Sequence, residues 1–210
     1  FRDVVELFAK TRTAYTPTLV VQYNAPTLVD YFFTRTDVRD DDKLRRFYPS
    51  NRLDELTLRR SSWYRDNEFN FEQGAAQVAK IQRAGGLVGV GGHAELQGLG
   101  YHWEMWAHAM GGMTPVEVLR AATIDGASIV GVEQDLGSIE VGKLADMVVL
   151  NSNPLDDIRN TVDIDRVLIN GRLYKGAPMD QEWPDYVPLP NFWWWDQADR
   201  RFVPQENRNN

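Results

Sequence analysis

Cysteine is missing from this 210-residue sequence. Its absence excludes disulfide bonds, thiolate-bound zinc and cysteine nucleophiles. Any metal ion bound by the chain must therefore be held by His, Asp or Glu side chains. Cysteine-free chains occur in oxidising and in reducing compartments, so a cytoplasmic and a periplasmic location both stay open.

Positive charge and long apolar runs are also scarce. The sequence has 23 Lys and Arg residues against 30 Asp and Glu residues, which gives a formal net charge of -7. Nucleic-acid binders concentrate positive charge, so we expect no nucleic-acid partner. The longest uncharged run, residues 13–29, is interrupted by Pro17 and Pro26 and is too polar for a membrane span. No leader with a basic start and an apolar centre follows Phe1, and we expect that processing or truncation removed the true start.

Glycine and proline are present in ordinary amounts, with 16 and 10 residues. These amounts exclude a collagen-like or low-complexity chain, and the sequence is not that of a coiled coil. A chain of 24.1 kDa can bury one sizeable core, or one core and a small second domain. We find no internal repeat.

The first third of the chain alternates regular and irregular segments. Apolar residues at helical spacing predict the end of an amphipathic helix in the first dozen residues. Residues 14–23 are rich in Thr, Val and Tyr and predict a strand, in which Pro17 restricts the ladder hydrogen bonds to the later half. Residues 24–67 carry charge runs and helix breakers, which indicates a long irregular excursion of the kind that often forms a functional lid.

The middle of the chain predicts helices around one short strand. Glycine pairs end two of the helices, glycines bound the apolar strand, and a capping box opens the last helix. The apolar strand is typical of a buried parallel strand. The predicted elements are a helix from Phe71 to the Gly85-Gly86 pair, a strand at 87–91, a loop at 92–100, a helix from about His102 to Met110, and a helix that begins after Thr114.

The last third of the chain is β-rich, and we expect a second module from residue 136 onward. Residues 146–150 and 166–169 are strand-like, and Asn170-Gly171 is a strong signal for a type I′ hairpin turn. From Ala177 the sequence is rich in Pro and Trp and has little periodicity. This composition predicts an irregular arm whose aromatic side chains pack on the chain itself or on a partner.

Three histidines lie close together in the sequence. His102 and His108 are six residues apart, about 240° around a helix, so they do not share a face. Glu104 and His108 do share one, and we expect a surface or half-buried hydrogen bond between them. His93 follows the glycine-rich strand, at the carboxyl end where α/β proteins gather catalytic groups. A functional and a structural role both stay open for His93.

Known cofactor and nucleophile motifs are weak or missing. Residues 89–94 formally fit the dinucleotide pattern G-x-G-x-x-A, but Gly98 and Gly100 interrupt the helix that must open there, so we expect no dinucleotide cofactor. The sequence has no HExxH, H-x-H, G-x-S-x-G or phosphate-loop motif. It also holds too few ligands for a complete catalytic zinc site, which needs three protein ligands.

Four segments resemble the C-terminal part of the amidohydrolase superfamily. They are residues 85–94 (GGLVGVGGHA), 111–123 (GGMTPVEVLRAAT), 137–150 (GSIEVGKLADMVVL) and 153–155 (NPL). The third segment is quite specific, and the resemblance extends over about residues 1–176. It looks closest to the imidazolonepropionase-like and dipeptidase-like branch, which includes members fused to an N-terminal TolB-like β-propeller.

The resemblance implies a fold and a division of the chain. The implied fold class is α/β: the last strands and helices of a distorted (β/α)8 barrel at residues 1–135, part of a small composite β-sandwich at 136–176, and a Pro- and Trp-rich arm at 177–210. Residues 16–21 and 87–91 would be the seventh and eighth barrel strands. Such a fragment has open edges and half a core, so we expect it to be inactive by itself.

The resemblance also implies candidate site residues. The eighth strand of the superfamily usually ends in Gly-Thr-Asp-Ala-Gly, whose Asp binds metal and acts as general base, and His93 stands at that position here. A neutral imidazole can ligate zinc or accept a proton near neutral pH, so His93 is the candidate catalytic residue and metal ligand. Further candidates, which would line the mouth of the site and contact or support the substrate, are Glu95, Gln97, His102 and Glu104.

The implied function is hydrolysis of a carbon–nitrogen bond, in an amide or cyclic amide, by metal-activated water. One or two divalent ions, with zinc as the first choice, would be bound in the full-length protein, and the other ligands would lie upstream of this chain. We expect a small-molecule or peptide-like substrate, and a homo-oligomer is compatible with the sequence. The alternative is a catalytically inactive amidohydrolase-like module that binds a partner. Bound zinc in the full-length protein would favour the enzyme.

Overall fold

The computed structural model describes residues 2–21, 26–58 and 64–195. Within these residues the chain forms eight α-helices followed by four β-strands. The helices are α1 (Arg2–Thr11), α2 (Leu28–Phe33), α3 (Asp42–Phe47), α4 (Ser50–Leu58), α5 (Phe71–Arg83), α6 (Leu99–Met110), α7 (Pro115–Ala122) and α8 (Ile124–Val130). The strands are β1 (Met147–Leu150), β2 (Ile164–Ile169), β3 (Arg172–Lys175) and β4 (Gln181–Trp183). None of the helices in this described part is long and apolar enough to cross a membrane.

One apolar core joins the helices of the first two thirds of the chain. α6 contributes Trp103, which is fully buried and stacks on Phe32 of α2 with ring centroids 5.2 Å apart. Val88, in the middle of the predicted strand at 87–91, belongs to the same core. The helix predicted from Phe71 is confirmed as α5, and one face of it is buried in this core: Phe71, Ala75, Val78, Ala79 and Ile81.

The two segments predicted as strands in the first half lie side by side in parallel. Tyr15 N–H donates to Leu87 O (2.9 Å), and Gly89 N–H donates to Tyr15 O (3.0 Å). Gly91 N–H donates to Pro17 O (3.1 Å). The pairing amounts to an isolated parallel bridge rather than a full ladder.

The strand predicted at 14–23 is wrong in its later part. Leu19–Val21 forms a 3₁₀ turn instead, and residues 22–23 lie outside the described part. The physical reason is that the N–H groups of Leu19 and Val20 donate to the Glu104 carboxylate and so cannot donate to a neighbouring strand. Pro17 pairs through its carbonyl oxygen before this turn.

The interval 24–67, predicted to be irregular, contains α2, α3 and α4. α2 opens with a capping box between Thr27 and Asp30, and the apolar side chains of Leu28 and Leu53 anchor α2 and α4 in the core. The three helices have six, six and nine residues, too few for a helical period to stand out among charge runs. Residues 24, 25 and 59–63 lie outside the described part.

The helix boundaries predicted in the middle of the chain are largely confirmed. α5 ends just before Gly85, which has a φ of +92°. α7 follows Thr114, whose side chain accepts a hydrogen bond from Glu117 N–H in the predicted capping box. α6 begins at Leu99, three residues earlier than predicted, after Gly98 with a φ of +84°. The loop before α6 is correspondingly shorter.

The β-rich module is a four-stranded antiparallel sheet in the order β1-β2-β3-β4. Asn170 and Gly171 join β2 to β3 with φ angles of 49° and 71°, both positive as the predicted type I′ turn requires. β4 lies inside the segment predicted to be irregular, because the open edge of β3 offers backbone groups with which it pairs. The division of the chain into residues 1–135, 136–176 and 177–210 stays a prediction.

Three aromatic residues at the end of the described arm, Phe192, Trp194 and Trp195, pack on the chain itself. Three others are more than half exposed: Trp183, Tyr186 and Trp193. Trp195 is buried, and its indole N–H donates to the backbone oxygen of Arg46 at the end of α3. Of the two alternatives predicted for the arm, the buried side chain of Trp195 follows the first. Residues 196–210 lie outside the described part.

Candidate functional site

The loop before α6 carries three of the candidate residues. His93, Glu95 and Gln97 are all exposed to solvent along this loop. The loop departs from a close approach of two backbones, since a Cβ atom on Gly91 would lie 2.5 Å from the carbonyl oxygen of Pro17. Glycine permits this approach because it has no Cβ. The approach fixes the point from which the chain turns toward His93, two residues later.

Side chains from two helical segments border this loop. Tyr48, directly after α3, accepts a hydrogen bond from Gln97 N–H through its hydroxyl oxygen (2.7 Å). Gly92 lies against the ring of Tyr101 in α6, whose nearest carbon would be 3.3 Å from a Cβ at that position. The loop that presents His93 is therefore held near both of its ends.

His102 lies near the start of α6 and is partly buried. Its Nδ1 atom is shielded from solvent and has no hydrogen-bond partner within the described ranges of the chain. Burial, and to a smaller extent the positive charge of Lys43, lowers the pKa of His102 to about 4. The imidazole is therefore neutral near pH 7 and has a ring nitrogen that can accept a hydrogen bond.

Glu104 lies in the core, although we expected it at the mouth of the site. It is fully buried, and its two carboxylate oxygens accept hydrogen bonds from Leu19 N–H (2.6 Å) and Val20 N–H (2.9 Å). Burial raises the pKa of Glu104 to about 7, and the two N–H donors partly counteract that rise. Glu104 therefore fixes the backbone just beyond the first of the two parallel segments.

The contact between Glu104 and His108 differs from the expected surface or half-buried hydrogen bond. Both side chains are fully buried, because the face of α6 that they share is turned to the core. His108 Nδ1 lies 2.8 Å from the Glu104 backbone oxygen and 3.7 Å from the carboxylate Oε1. Burial lowers the pKa of His108, and the hydrogen bond with the Glu104 backbone opposes that change. His108 is therefore held neutral near pH 7.

The residues present do not by themselves fit a metal ion. No group of three or more His, Asp or Glu side chains that could hold one occurs in residues 2–21, 26–58 and 64–195. His93 is exposed on its loop, and the other two histidines lie in α6. A catalytic zinc site needs about three protein ligands, so we derive no chemical step through a metal from this chain alone.

Two contacts of this region are not predictable from the sequence. The hydrogen bond between Gln97 and Tyr48 joins residues 49 positions apart, and that between Glu104 and Leu19 joins residues 85 positions apart. No local pattern encodes such contacts. The available signal was the position of Glu104 in a largely apolar helix, where a buried carboxylate must find hydrogen-bond donors.

The sequence of this chain is similar to those of known hydrolases. The sequence pattern of the Amidohydrolase family matches residues 67–174. An imidazolonepropionase from Alkaliphilus metalliredigens is 47% identical over 64 residues, which are 29% of this chain and 15% of that protein. An ochratoxinase from Aspergillus niger is 31% identical over 115 residues, which are 53% of this chain and 23% of that protein.

A likeness of fold extends further than these alignments. The crystal structure of a Xaa-Pro dipeptidase with bound methionine superposes with a TM-score of 0.54 at 24% identity, over 82% of this chain and 37% of that one. The chain spans less than a quarter of the length of the imidazolonepropionase and of the ochratoxinase. Because the family pattern covers half of the sequence, the chain belongs to the amidohydrolase family.

Proposed function

We propose that this chain is the C-terminal part of a hydrolase that cleaves a carbon–nitrogen bond in an amide or cyclic amide. The observation that carries the proposal is the position of His93, exposed on the loop that leaves a glycine-rich segment paired in parallel with residues 15–17. In α/β folds the carboxyl ends of parallel strands gather catalytic groups. The family membership supplies the class of reaction.

In this proposal the two paired segments are the last strands of a (β/α)8 barrel, and the sheet of β1 to β4 is part of a composite sandwich. The barrel would be completed by other parts of a longer protein, which would also bring the remaining metal ligands. A divalent metal ion bound there, with zinc as our first choice, would lower the pKa of a bound water and so supply the nucleophile. Fusion to a TolB-like propeller and a homo-oligomeric state stay predictions.

His93 takes the position of the usual family Asp. A neutral imidazole can accept a proton from water near neutral pH or can bind a metal through one ring nitrogen. Either task needs a side chain that reaches the site from the strand end, and His93 is exposed there. We assign it the role of general base or metal ligand.

The other candidate residues take supporting roles. Glu95 and Gln97 are exposed on the same loop and would contact the substrate. His102, whose Nδ1 atom is shielded from solvent, would support the site from the start of α6 without contacting the substrate through that atom. Glu104 would act from the core, through the backbone of Leu19 and Val20. The substrate class is a small molecule or a peptide-like amide.

The test uses the complete protein that contains this chain, with a panel of N-acyl amino acids, dipeptides and cyclic amides. His93→Ala should lower turnover by about 10²- to 10⁴-fold if His93 is the general base. If it is a metal ligand, metal content should fall as well. His93→Asp, which restores the usual family residue, should retain more of both than His93→Ala does.

Full activity and full metal content in His93→Ala would contradict the assignment of His93. A complete protein that binds metal but hydrolyses nothing in the panel would instead favour an inactive, binding relative. Metal analysis and hydrolysis assays on the same samples distinguish these two results.

A further inference from the structure

The C-terminal end of α3 is closed by the aromatic arm. The last carbonyl groups of a helix lack intrahelical donors and need partners from elsewhere. The backbone oxygen of Arg46, in the last turn of α3, accepts hydrogen bonds from the indole Nε1 of Trp195 (2.9 Å) and of Trp194 (3.3 Å). Two consecutive residues of the arm therefore close one helix end.

Residues of the arm also pack against the side chains of this turn. The Arg46 guanidinium lies over the Trp195 ring, 4.5 Å from its centroid, and the exposed fractions of Arg46 and Trp195 are 7% and 6%. Phe192 stacks on Trp194 with centroids 4.4 Å apart and meets Phe47 edge-on at 6.0 Å. A cation over an indole and stacked rings both add attraction beyond simple burial. The contact is thus built from hydrogen bonds and from packing.

The residue that follows α3 contacts the loop of His93. Tyr48 N–H donates to Leu44 O (2.8 Å), so the backbone of Tyr48 is fixed to the last turn of α3. Its hydroxyl oxygen accepts the hydrogen bond from Gln97 N–H. Arg46 contacts the arm and Tyr48 contacts the loop, and only Phe47 lies between these two residues in the sequence.

We propose that Phe192, Trp194 and Trp195 form an aromatic clamp that positions the His93 loop by holding the end of α3, and with it Tyr48, against that loop. Trp195 is then a positioning residue that acts through Arg46 and Tyr48. The effect of the clamp on catalysis rests on the proposed function, whereas the effect of the clamp on the loop does not.

The test measures amide hydrogen exchange in the complete protein, in peptides that cover the loop around Gln97. Trp195→Ala should make these amides exchange about 3- to 10-fold faster, because it removes one hydrogen bond and the cation–aromatic contact at the end of α3. Trp193→Ala is the matched control, since Trp193 is the same residue type in the same segment but is 64% exposed. It should leave the exchange unchanged.

Tyr48→Phe keeps the ring and removes only the hydroxyl acceptor, so it should reproduce the faster exchange of the loop even if Trp195→Ala fails to fold. Unchanged exchange in the loop of Trp195→Ala or of Tyr48→Phe would overturn the clamp. Equal acceleration in every peptide of Trp195→Ala, α1 included, would overturn it too, because that is the result of general destabilisation.

Hydrolysis assays on the same variants separate this proposal from the proposed function. For an active wild type, Trp195→Ala should raise KM or lower kcat, and Trp193→Ala should change neither. If the wild type hydrolyses nothing while the loop still loosens in Trp195→Ala, the clamp stands and the proposed function fails. If the wild type is active and the loop exchange is unchanged in Trp195→Ala, the clamp fails and the proposed function stands.

Discussion

Replacement of Glu104 by glutamine tests whether a buried, partly neutralised carboxyl group holds the backbone at the strand end. The carboxyl accepts two backbone N–H groups, one on each oxygen. A glutamine side chain has one acceptor oxygen, and its NH2 group would face the second N–H donor. Leaving one buried N–H group without a partner costs about 1–3 kcal/mol, so Glu104→Gln should be destabilised by about that amount at pH 5.

The destabilisation should shrink as the pH rises. Burial raises the pKa of Glu104 from an ordinary value of 4.5 to about 7 in the folded chain. Between these values the unfolded chain releases the proton while the folded chain keeps it, so the stability of the wild type falls with increasing pH. At about 1.4 kcal/mol per pKa unit, the wild type loses about 2–3 kcal/mol from pH 5 to pH 8, and the glutamine side chain of the variant does not titrate.

The histidines of α6 also contribute to the pH dependence of wild-type stability, and their contribution has the opposite sign to that of Glu104. Burial lowers the pKa of His102 and of His108, so below about pH 6.5 the unfolded chain gains protons and the folded chain is destabilised. The quantity to measure is therefore the difference in unfolding free energy between wild type and Glu104→Gln at each pH. This difference removes the histidine contributions that both proteins share.

The assay is denaturation of the complete protein at pH 5, 6, 7 and 8. Glu117→Gln is the control: Glu117 also accepts a backbone N–H, from Thr114 at 2.7 Å, but this bond and others lower its pKa. Glu117 is therefore ionised in both states from pH 5 to pH 8, and the difference for Glu117→Gln should stay flat. A flat or growing difference for Glu104→Gln would refute the reasoning, because it would mean that the buried carboxyl group ionises at an ordinary pKa.

Three further predictions concern the hairpin, the close strand approach and the isolated chain. Gly171→Val should lower the free energy of unfolding by about 1–3 kcal/mol, because valine is strained at a φ of 71°; unchanged stability in chemical denaturation would contradict the turn. Gly91→Ala should cost about 1–3 kcal/mol, because its Cβ would lie 2.5 Å from Pro17 O; Gly92→Ala, whose nearest neighbour would be 3.3 Å away, should cost less in the same measurement, and equal costs would argue against the close approach. The 210 residues alone should unfold without a sharp transition in calorimetry and hold no metal tightly; a sharp transition with stoichiometric zinc would contradict this.

Local signals in the sequence predicted those elements whose boundaries are chemically marked. The capping box at Thr114 and the Asn170-Gly171 turn each depend on residues within three positions of one another, and both are confirmed. The helix from Phe71 has thirteen residues, enough for its apolar stripe to be visible. In each case the interaction that decides the structure lies inside the segment itself.

The elements that the sequence did not predict depend on distant partners. α3 is six residues long and contains four charged residues. Its C-terminal end accepts a hydrogen bond from Trp195, which lies 149 positions away in the sequence. The turn at Leu19–Val21 replaces a strand because the Glu104 carboxylate, 85 residues away, accepts its N–H groups. A single sequence carries no local record of such contacts.

These distant contacts meet at the candidate site, and this has a physical reason. An exposed loop has few hydrogen bonds of its own, yet a base or metal ligand must be held close to its working geometry by the side chains around it. Glu104 fixes the backbone beyond one parallel segment, and Tyr48 fixes the loop that leaves the other. Glu104 and Tyr48 thus act on this region through contacts that no local pattern encodes, and we expect the loop to lose order when either support is removed.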